Sequence, residues 1–364
     1  MTLDSLVSAA VVKGASDIHL RVRQFPMLRV HGILDRLTTF PIVTPEDIED
    51  MAKKSLTSEQ YERLLSRHEV DAAIMLPGLG RCRASVFRQR NSLAMSLRLI
   101  PSTPPGLPDL GLPPAVVALA KESRGLVLIT GTTGSGKSTT LAALIGEINR
   151  TRPVHILTIE DPIEFMHEDE VAVVSQREVG LDVTSYQNGL LSALRQDPDI
   201  ILLGELRDRD TIETALVAAE TGHLVFSTLH TLDAPETVNR IVSAFPVFQQ
   251  AQIRHQLARV LRATVSQRLI PRANGKGRAL AAEVMISSPY VRDCIADMEK
   301  TSLIAGAIAT GSEAWGMQNF DQSILYLVRN GSVSVEEAED WVTNIDEFKM
   351  RLAGITPGSA AFRK

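Results

Sequence analysis

Short apolar runs alternate with helical patterns along the second two-thirds of the chain. The runs have the length and composition of buried strands, and they span residues 126–129, 154–159, 200–203 and 224–226. Between 212 and 219, by contrast, apolar residues recur at helical spacing, and Gly222 follows as a predicted helix end. Strands that alternate with helices usually form a parallel sheet covered by helices. The pattern therefore predicts an α/β domain built on a parallel sheet.

Two smaller signals refine this prediction. Thr184 with Gln187 and Asp233 with Glu236 have the spacing of capping boxes, which predicts that a helix begins after Thr184 and another after Asp233. An Asn-Gly dipeptide at 274–275 lies between two apolar segments and predicts a β-hairpin.

The first part of the chain follows a different pattern, because polar and apolar residues alternate at 17–23 and at 81–86. Such alternation is typical of half-buried strands. The segment 101–114 contains six prolines, which exclude a continuous helix or a central strand. We therefore expect a small α+β domain at 1–100, a linker at 101–114, and a larger α/β domain with a C-terminal helical region at 115–364.

Composition narrows the range of functions. The formal net charge of −5 gives no basic surface of the kind that binds nucleic acid, so no nucleic-acid partner is expected. No apolar run approaches the roughly 18 residues that cross a bilayer, and the N-terminus lacks the basic start of a secretion signal, which predicts a cytosolic protein. Cys82 and Cys294 form no CxxC pair, so neither a tetracysteine zinc site nor a disulfide framework is expected.

A phosphate-binding pattern follows the first apolar run. Residues 131–138 read Gly-Thr-Thr-Gly-Ser-Gly-Lys-Ser, in the strand-to-helix context that this pattern requires. Its glycines let backbone N–H groups curl around phosphate oxygens, Lys137 would reach the β- and γ-phosphates of a nucleoside triphosphate, and Ser138 would hold Mg²⁺. The alternative is a glycine-rich turn between two core elements. The predicted nucleotide-binding residues of this loop are Gly131, Thr132, Thr133, Gly134, Ser135, Gly136, Lys137, Ser138 and Thr139.

Carboxylates follow two of the predicted strands. Glu160, Asp161 and Glu164 come at the end of the second apolar run, and Glu205 comes after the third. The carboxyl ends of strands form the edge where an open α/β sheet binds its ligand. A carboxylate there can hold Mg²⁺ or its waters, and another can accept the proton of an attacking water. For the first three residues the alternative is a solvated acidic turn, whereas Glu205 would otherwise be poorly solvated.

Two histidines, His223 and His230, flank the fourth predicted strand. A strand that rises about 3.3 Å per residue separates them by roughly 20 Å, so they are not a metal pair. We expect them to serve two different faces, for example a γ-phosphate and a neighbouring subunit. A structural role is the alternative for each histidine taken separately.

Together, the motifs at 131–138, 158–164 (TIEDPIE), 204–208 (GELRD) and 221–231 (TGHLVFSTLHT) resemble the secretion-type ATPase superfamily. Within it, the chain is most similar to pilus-retraction ATPases of the PilT type. The resemblance implies a RecA-like ATPase domain that follows a small PAS-like α+β domain. It also implies ATP and Mg²⁺ as ligands and a homo-hexamer that holds nucleotide between subunits. Such a hexamer would be a cytoplasmic motor that associates peripherally with the inner membrane through the platform protein of a pilus.

The same resemblance implies a role for each candidate residue. Carried over position by position, the matching residues are Lys137 (phosphates), Ser138 (Mg²⁺), Glu160 (nucleotide), Glu164 (general base), Glu205 (Walker B glutamate, Mg²⁺ directly or through water), His223 (nucleotide) and His230 (catalytic).

Three features bear on the branch of the superfamily. Pilus-assembly and type II secretion ATPases that resemble this chain usually carry a tetracysteine zinc element, which this sequence lacks, and this favours the retraction branch. Leu232 stands where the histidine box commonly has Asn, and residues 291–299 match only loosely the segment associated with retraction. The alternatives are an accessory retraction paralogue, a type IV secretion ATPase and a non-catalytic regulatory ring.

Two arginines of the first domain are candidate catalytic cations. Arg83 lies on the polar face of its predicted strand, and Arg98 lies in the strand-like stretch 97–100. A cation that enters from outside the binding subunit commonly accelerates phosphoryl transfer by about 10³- to 10⁵-fold. We expect one or both arginines to reach the nucleotide of an adjacent subunit or domain. Arginines on a wet sheet face are the alternative.

Overall fold

The structure is a computed structural model, and it describes residues 1–30, 32–76, 78–100 and 104–355. The chain divides into two compact units, which are Met1–Thr103 with the segment Glu164–Met166, and Pro104–Ile163 with His167–Lys364. Each unit has its own hydrophobic core. Within the described ranges, no helix is both long and apolar enough to cross a membrane.

The first unit is an antiparallel sheet with helices packed on one face. Its strands are β1 (Ala15–Arg21), β2 (Met27–Val30), β3 (Ile33–Arg36), β4 (Glu69–Leu76), β5 (Gly80–Gln89) and β6 (Ser92–Ile100). They lie in the order β3-β2-β1-β6-β5-β4. Its helices are α1 (Leu3–Val12), α2 (Pro45–Ser55) and α3 (Ser58–Arg67).

Alternation of side chains explains why this sheet has one dry face and one polar face. Ile18 pairs with Leu97, which pairs with Ala84, and all three are buried on the same face. The small α+β domain expected from the alternating pattern is thus confirmed, and its PAS-like character stays a prediction. The predicted strand at 17–23 ends at Arg21, because Arg23 adopts a left-handed backbone with φ of 66°.

The second unit contains a seven-stranded sheet. Its strands are β7 (Gly125–Thr130), β8 (His155–Glu160), β9 (Val173–Glu178), β10 (Ile200–Leu203), β11 (Leu224–Leu229), β12 (Leu261–Pro271) and β13 (Arg278–Ile286). The order is β13-β12-β7-β11-β10-β8-β9, and every neighbouring pair is parallel except the hairpin β12–β13. This confirms the predicted parallel sheet and the hairpin around Asn274-Gly275.

Helices cover both faces of this sheet, which explains why its strands read as continuous apolar runs. They are α4 (Pro114–Ala118), α5 (Lys137–Thr151), α6 (Tyr186–Ala193), α7 (Arg209–Glu220), α8 (Ala234–Ser243), α9 (Val247–Val260), α10 (Pro289–Ala296), α11 (Ile304–Thr310), α12 (Ser312–Trp315), α13 (Phe320–Arg329), α14 (Val335–Glu339) and α15 (Ile345–Leu352). One core lies under α4 and α5, and a second lies under α6 to α11. The helices α13 to α15 pack against the far end of the β12–β13 hairpin.

Two features of this unit differ from the sequence pattern. The sequence pattern does not predict strand β9. It is the edge strand, only its first two residues, Val173 and Val174, are apolar, and most of its residues are only half buried. Helix α6 is capped by Ser185, which accepts a hydrogen bond from Asn188 N, so the cap predicted at Thr184 is wrong by one residue. The cap predicted at Asp233 is confirmed for α8, since its carboxylate accepts from Glu236 N.

The proline-rich segment is expected to be a linker over 101–114. Residues 101–103 lie outside the described residues. From Pro104 onward the chain belongs to the second unit, and Leu107 and Leu112 are buried in the core under α5. Prolines therefore break regular structure here without keeping the segment out of the core.

Candidate nucleotide-binding site

The phosphate-loop motif connects β7 to α5, as its pattern predicts. Lys137 is the first residue of α5, and the N-terminal end of this helix faces the loop. A side chain at Gly131 would bring its Cβ within 2.5 Å of Gln267 O and 2.7 Å of Ser135 Oγ, so only glycine fits there. Gly136 has φ of 94°, which also favours glycine. The loop is thus held close to the neighbouring strand β12.

Lys137 is folded into this loop. Its Nζ donates to Gly131 O at 2.8 Å and to Thr132 O at 3.0 Å, and the residue is only 9% exposed. Burial of an ammonium group costs free energy unless hydrogen-bond acceptors compensate for the lost water. The two carbonyl oxygens provide this compensation and hold the charge where phosphates would bind. Among the described residues, the buried Ser135 Oγ has no hydrogen-bond partner. An anion in the loop would give that hydroxyl an acceptor, so the loop fits a nucleotide phosphate.

Strand β12 supports the loop from the side. Gln267 Nε2 donates to Thr140 Oγ1 of α5 at 2.8 Å, and Thr130 Oγ1 donates to Ser266 Oγ at 3.0 Å. From β13, Arg278 Nη1 donates to Gly134 O at 3.3 Å. The loop is therefore fixed by the β12–β13 hairpin as well as by its own strand and helix.

A charged cluster lies at the carboxyl ends of β10 and β11. Arg207 Nε donates to Glu205 Oε2 at 2.8 Å, and His230 Nε2 lies 3.3 Å from Glu205 Oε1. Arg207 Nη1 also lies 3.9 Å from Oδ2 of Asp161, the residue that follows β8. A surface pocket beside the cluster is lined by Glu205, Arg207, His230 and Glu236, among others. The structure thus brings together two predicted catalytic residues, Glu205 and His230, which are distant in sequence.

The acidic segment after β8 starts from an anchored residue. Glu160 Oε1 accepts from Thr158 Oγ1 at 2.7 Å and from Gln176 Nε2 at 3.2 Å. The next peptide bond, Asp161-Pro162, is cis, and Glu164 beyond it is exposed. Glu160 is therefore held in place, while the Glu164 carboxylate is accessible to solvent. Its role as general base stays a prediction.

Tyr186 is a buried aromatic residue beneath the same carboxylates. Burial, together with the negative charge of Asp161, raises the pKa of its phenol, so the hydroxyl stays protonated at neutral pH. An added side chain at Gly204 would come within 2.7 Å of the Tyr186 hydroxyl oxygen. Gly204 is therefore required for the close approach of this ring to the end of β10.

His223 lies at the opposite edge of the sheet from the phosphate loop. Leu224 pairs with Gly125 at the start of β7, and Leu229 pairs with Thr130 at its end. His223 O accepts from Gly125 N at 2.9 Å, and its Nδ1 lies 3.0 Å from Ala218 O. Of the two candidate histidines, therefore, only His230 lies at the carboxyl edge of the sheet within one chain. Nucleotide binding by His223 gains no support from within one subunit.

The two candidate arginines are cross-strand neighbours in the first unit. Arg83 of β5 pairs with Arg98 of β6, which pairs with Asp17 of β1. Arg98 Nε donates to Asp17 Oδ1 at 3.0 Å, yet its side chain is 71% exposed. Burial pushes the pKa of Asp17 upward, but hydrogen bonds from Ser16 and Arg98 hold it below its usual value. Both arginines lie on the polar face, which was expected for Arg83, and their catalytic role stays a prediction.

Sequence reasoning missed several residues of this site. Arg207 carried a usable signal, because a cation two residues after Glu205 lies at a strand exit. Gln267 and Arg278 had no such signal in the sequence, because they reach the loop from a hairpin far along the chain. Tyr186 looked like an ordinary core residue of α6.

A magnesium ion fits the loop through Ser138. This residue lies in the first turn of α5, and a Ser hydroxyl at that position can ligate Mg²⁺ together with phosphate oxygens and water. Within the described part of the chain, no cluster of three or more His, Cys, Asp or Glu residues could hold a metal. Glu205 is 17% exposed and is engaged by Arg207 and His230. Its predicted contact with Mg²⁺ stays a prediction.

A mainly parallel sheet with a phosphate loop after the interior strand β7, and with carboxylates at the same edge, defines a RecA-like P-loop protein. The chain matches the family model described as Type II/IV secretion system protein over residues 77–338. This is more than half of its length, and the chain belongs to that family.

Two of the known proteins similar to this chain are named for twitching motility or for the type IV pilus. It is 45% identical over 313 residues to a twitching motility protein of Neisseria gonorrhoeae, which covers 86% of this chain and 83% of the relative. It is 41% identical over 340 residues to the type IV pilus retractation ATPase PilT of Pseudomonas aeruginosa. This alignment covers 93% of this chain and 98% of the relative. Among solved structures, a pilus retraction motor PilT with bound ADP superposes with a TM-score of 0.88 at 41% identity, covering 95% of this chain and 98% of that chain.

Proposed function

We propose that this chain is the Mg²⁺-dependent ATPase motor of a type IV pilus and that it drives pilus retraction. The observation that carries the proposal is the complete phosphate loop, with Lys137 buried at its centre and Glu205 and His230 together at the same sheet edge. The twitching motility and retraction ATPases among its relatives support the assignment to pilus retraction.

Each residue has a distinct part in the proposed reaction. Lys137 and the loop N–H groups would bind the β- and γ-phosphates, and Ser138 would hold a Mg²⁺ ion, which would supply positive charge beside the phosphates. Glu164 accepts a proton from the attacking water, so that hydroxide attacks the γ-phosphorus as the bond to ADP breaks. Glu205 holds the magnesium ion or its water. His230, paired with Glu205, senses whether the γ-phosphate is present.

We further propose that the protein acts as a homo-hexamer in which Arg83 or Arg98 reaches the nucleotide of a neighbouring subunit. The exposure of Arg98 supports this, because a fully buried arginine could not reach another chain. The test mixes Arg98→Ala protein with Lys137→Ala protein. Hydrolysis above that of both parents is expected, since mixed interfaces would restore an intact site, and hydrolysis that equals the parental average would refute sharing.

Retraction would follow from motion of the two units driven by ATP binding and product release. The partner is proposed to be the platform protein of the pilus at the inner membrane, which would recruit the ring from the cytoplasm. Deletion of the gene, followed by imaging of fluorescent pili, tests this role. Fibres that extend but no longer shorten are expected, and complementation by Lys137→Ala should fail.

Other outcomes of that experiment would assign other roles. Normal shortening after the deletion would contradict a primary retraction motor and favour an accessory paralogue. Unchanged pili with defective export or conjugation would favour a type IV secretion ATPase. Normal shortening restored by Lys137→Ala would favour a regulatory ring without useful turnover.

A further inference from the structure

A buried polar row crosses three strands beside the phosphate loop. Thr130 of β7 pairs with Ser266 of β12, which pairs with Glu283 of β13. Thr130 Oγ1 donates to Ser266 Oγ at 3.0 Å, and Ser266 Oγ lies 3.5 Å from Glu283 Oε1. Glu283 is only 7% exposed. The row begins at the residue that immediately precedes the loop, and it ends at a carboxylate that no motif accounts for.

Glu283 also holds the start of helix α8. Its Oε1 accepts from Ala234 N, the first amide of that helix, at 2.9 Å. A carboxylate at a helix N-terminus is favoured by the helix dipole. His230, which contacts Glu205, lies four residues before Ala234 on the same segment. Glu283 thus connects the strand that enters the phosphate loop to the segment that carries His230.

The segment itself is short and well tied, so a movement at Ala234 would be passed to His230. Leu232 N donates to Glu236 Oε2 at 2.7 Å, and Thr231 Oγ1 lies 2.7 Å from Thr237 Oγ1. Both contacts link the residues before α8 to its first turn. Residues 231–237, which directly follow His230, are therefore tied to one another, and Ala234 N is the point where Glu283 holds them.

We propose that Glu283 is a positioning residue that keeps segment 230–237 in register with the phosphate loop and thereby sets His230 against Glu205. This inference rests on the proposed ATPase function for its kinetic consequence, whereas its structural consequence is independent of that function. Glu283 contacts no reacting atom in this assignment. It acts through Ala234 and His230.

The environment of Glu283 makes this link sensitive to pH. Burial raises the pKa of Glu283 to about 7, although the hydrogen bonds from Ala234 and Ser266 lower it. The charged groups that face it are Asp233, which raises the pKa, and Arg268, which lowers it. An ionised carboxylate accepts an N–H bond more strongly than a neutral acid does. The link should therefore tighten as pH rises through neutrality.

The test compares the full-length protein with Glu283→Gln, which mimics the protonated acid, and with Ser266→Ala, which removes the other half of the row. Glu313→Gln is the control, because this glutamate is exposed on α12. In nucleotide-free protein, amide hydrogen exchange over 231–237 should be faster in both row variants and unchanged in the control. Unchanged exchange in a folded Glu283→Gln protein would overturn the proposal, whatever the protein hydrolyses. If Glu283→Gln does not fold, unchanged exchange in Ser266→Ala would overturn it.

Kinetics supply a second readout. In Glu283→Gln, kcat should fall about 10-fold, the size expected for weakening one hydrogen bond to a charged acceptor, while KM for ATP stays within about twofold. The rise of kcat between pH 6 and 8 that Glu283 contributes should also be missing. Normal kcat with a normal pH profile would contradict a role in turnover. Absence of hydrolysis in the wild-type protein would instead refute the proposed ATPase and leave the exchange result to decide the role of Glu283.

Discussion

The two sheets of this protein place their chemistry differently. The parallel sheet of the second unit is covered on both faces, so its polar groups lie at the carboxyl edge, where Lys137, Glu205 and His230 are found. The antiparallel sheet of the first unit has one polar face, and Asp17, Arg83 and Arg98 lie side by side on it. The covered sheet therefore has its charged site residues at strand ends, whereas the half-open sheet has charged residues side by side across strands.

A large effect is expected at the phosphate loop, which lies at the carboxyl edge of the parallel sheet. Lys137→Ala removes the ammonium group that the loop holds, so nucleotide affinity should fall about 10- to 100-fold, the size of one or two charge-assisted hydrogen bonds. Titration with a fluorescent ADP analogue measures this. Lys276→Ala, in the exposed turn of the β12–β13 hairpin, should bind normally. Equal affinity for wild type and Lys137→Ala would mean that the loop is not the nucleotide site.

Glu164→Gln tests the residue that is proposed as the general base. The change spares the phosphate contacts, so affinity for ATP should stay normal while kcat falls about 10²-fold or more, as expected for loss of a general base. Single-turnover phosphate release separates these two quantities. Glu168→Gln is the matched control, since this nearby glutamate is also exposed. A normal kcat in Glu164→Gln would show that another group activates the water.

The buried carboxylate of Glu283, on the terminal strand β13 of the second unit's sheet, should make stability depend on pH. Because burial raises the pKa of Glu283 from 4.5 to about 7, the folded protein favours the neutral acid. This stabilisation is fully present below about pH 4.5 and is lost as pH rises through about 7, and its full size is roughly 3 kcal/mol. Melting temperatures of wild type and Glu283→Gln at pH 5 and pH 8 measure it. If the melting temperature changed by the same amount between pH 5 and pH 8 in both proteins, Glu283 would not titrate in this range.

The polar face of the antiparallel sheet should contribute least to stability. Arg98→Ala breaks the pair with Asp17, but Arg98 is 71% exposed, so the loss should be below about 1 kcal/mol. Urea unfolding of the wild-type and variant proteins checks this. A loss above about 2 kcal/mol would make the arginine a structural residue and weaken its assignment to catalysis.

The same contrast explains what the sequence could predict. Strands β7, β8, β10 and β11 and the phosphate loop follow from contiguous apolar and glycine patterns, and the structure has them where the patterns lie. Edge strand β9 and the burial of Leu107 and Leu112 do not follow, because both depend on which neighbours the chain meets after folding.

Predicted site residues divide in the same way. The proximity of Glu205 and His230 could be expected, since both end parallel strands that lie side by side. The position of His223 at the opposite edge follows from its place at the start of β11. The contacts of Gln267 and Glu283 could not be derived, because pairing of β12 with β7 and β13 joins residues that no local pattern links.

The most direct test of the account is sustained phosphate release by the purified wild-type protein supplied with ATP and Mg²⁺. Release is expected to saturate with ATP, to stop when EDTA removes the magnesium, and to fall to background in Lys137→Ala. Release no greater than that of Lys137→Ala would contradict it.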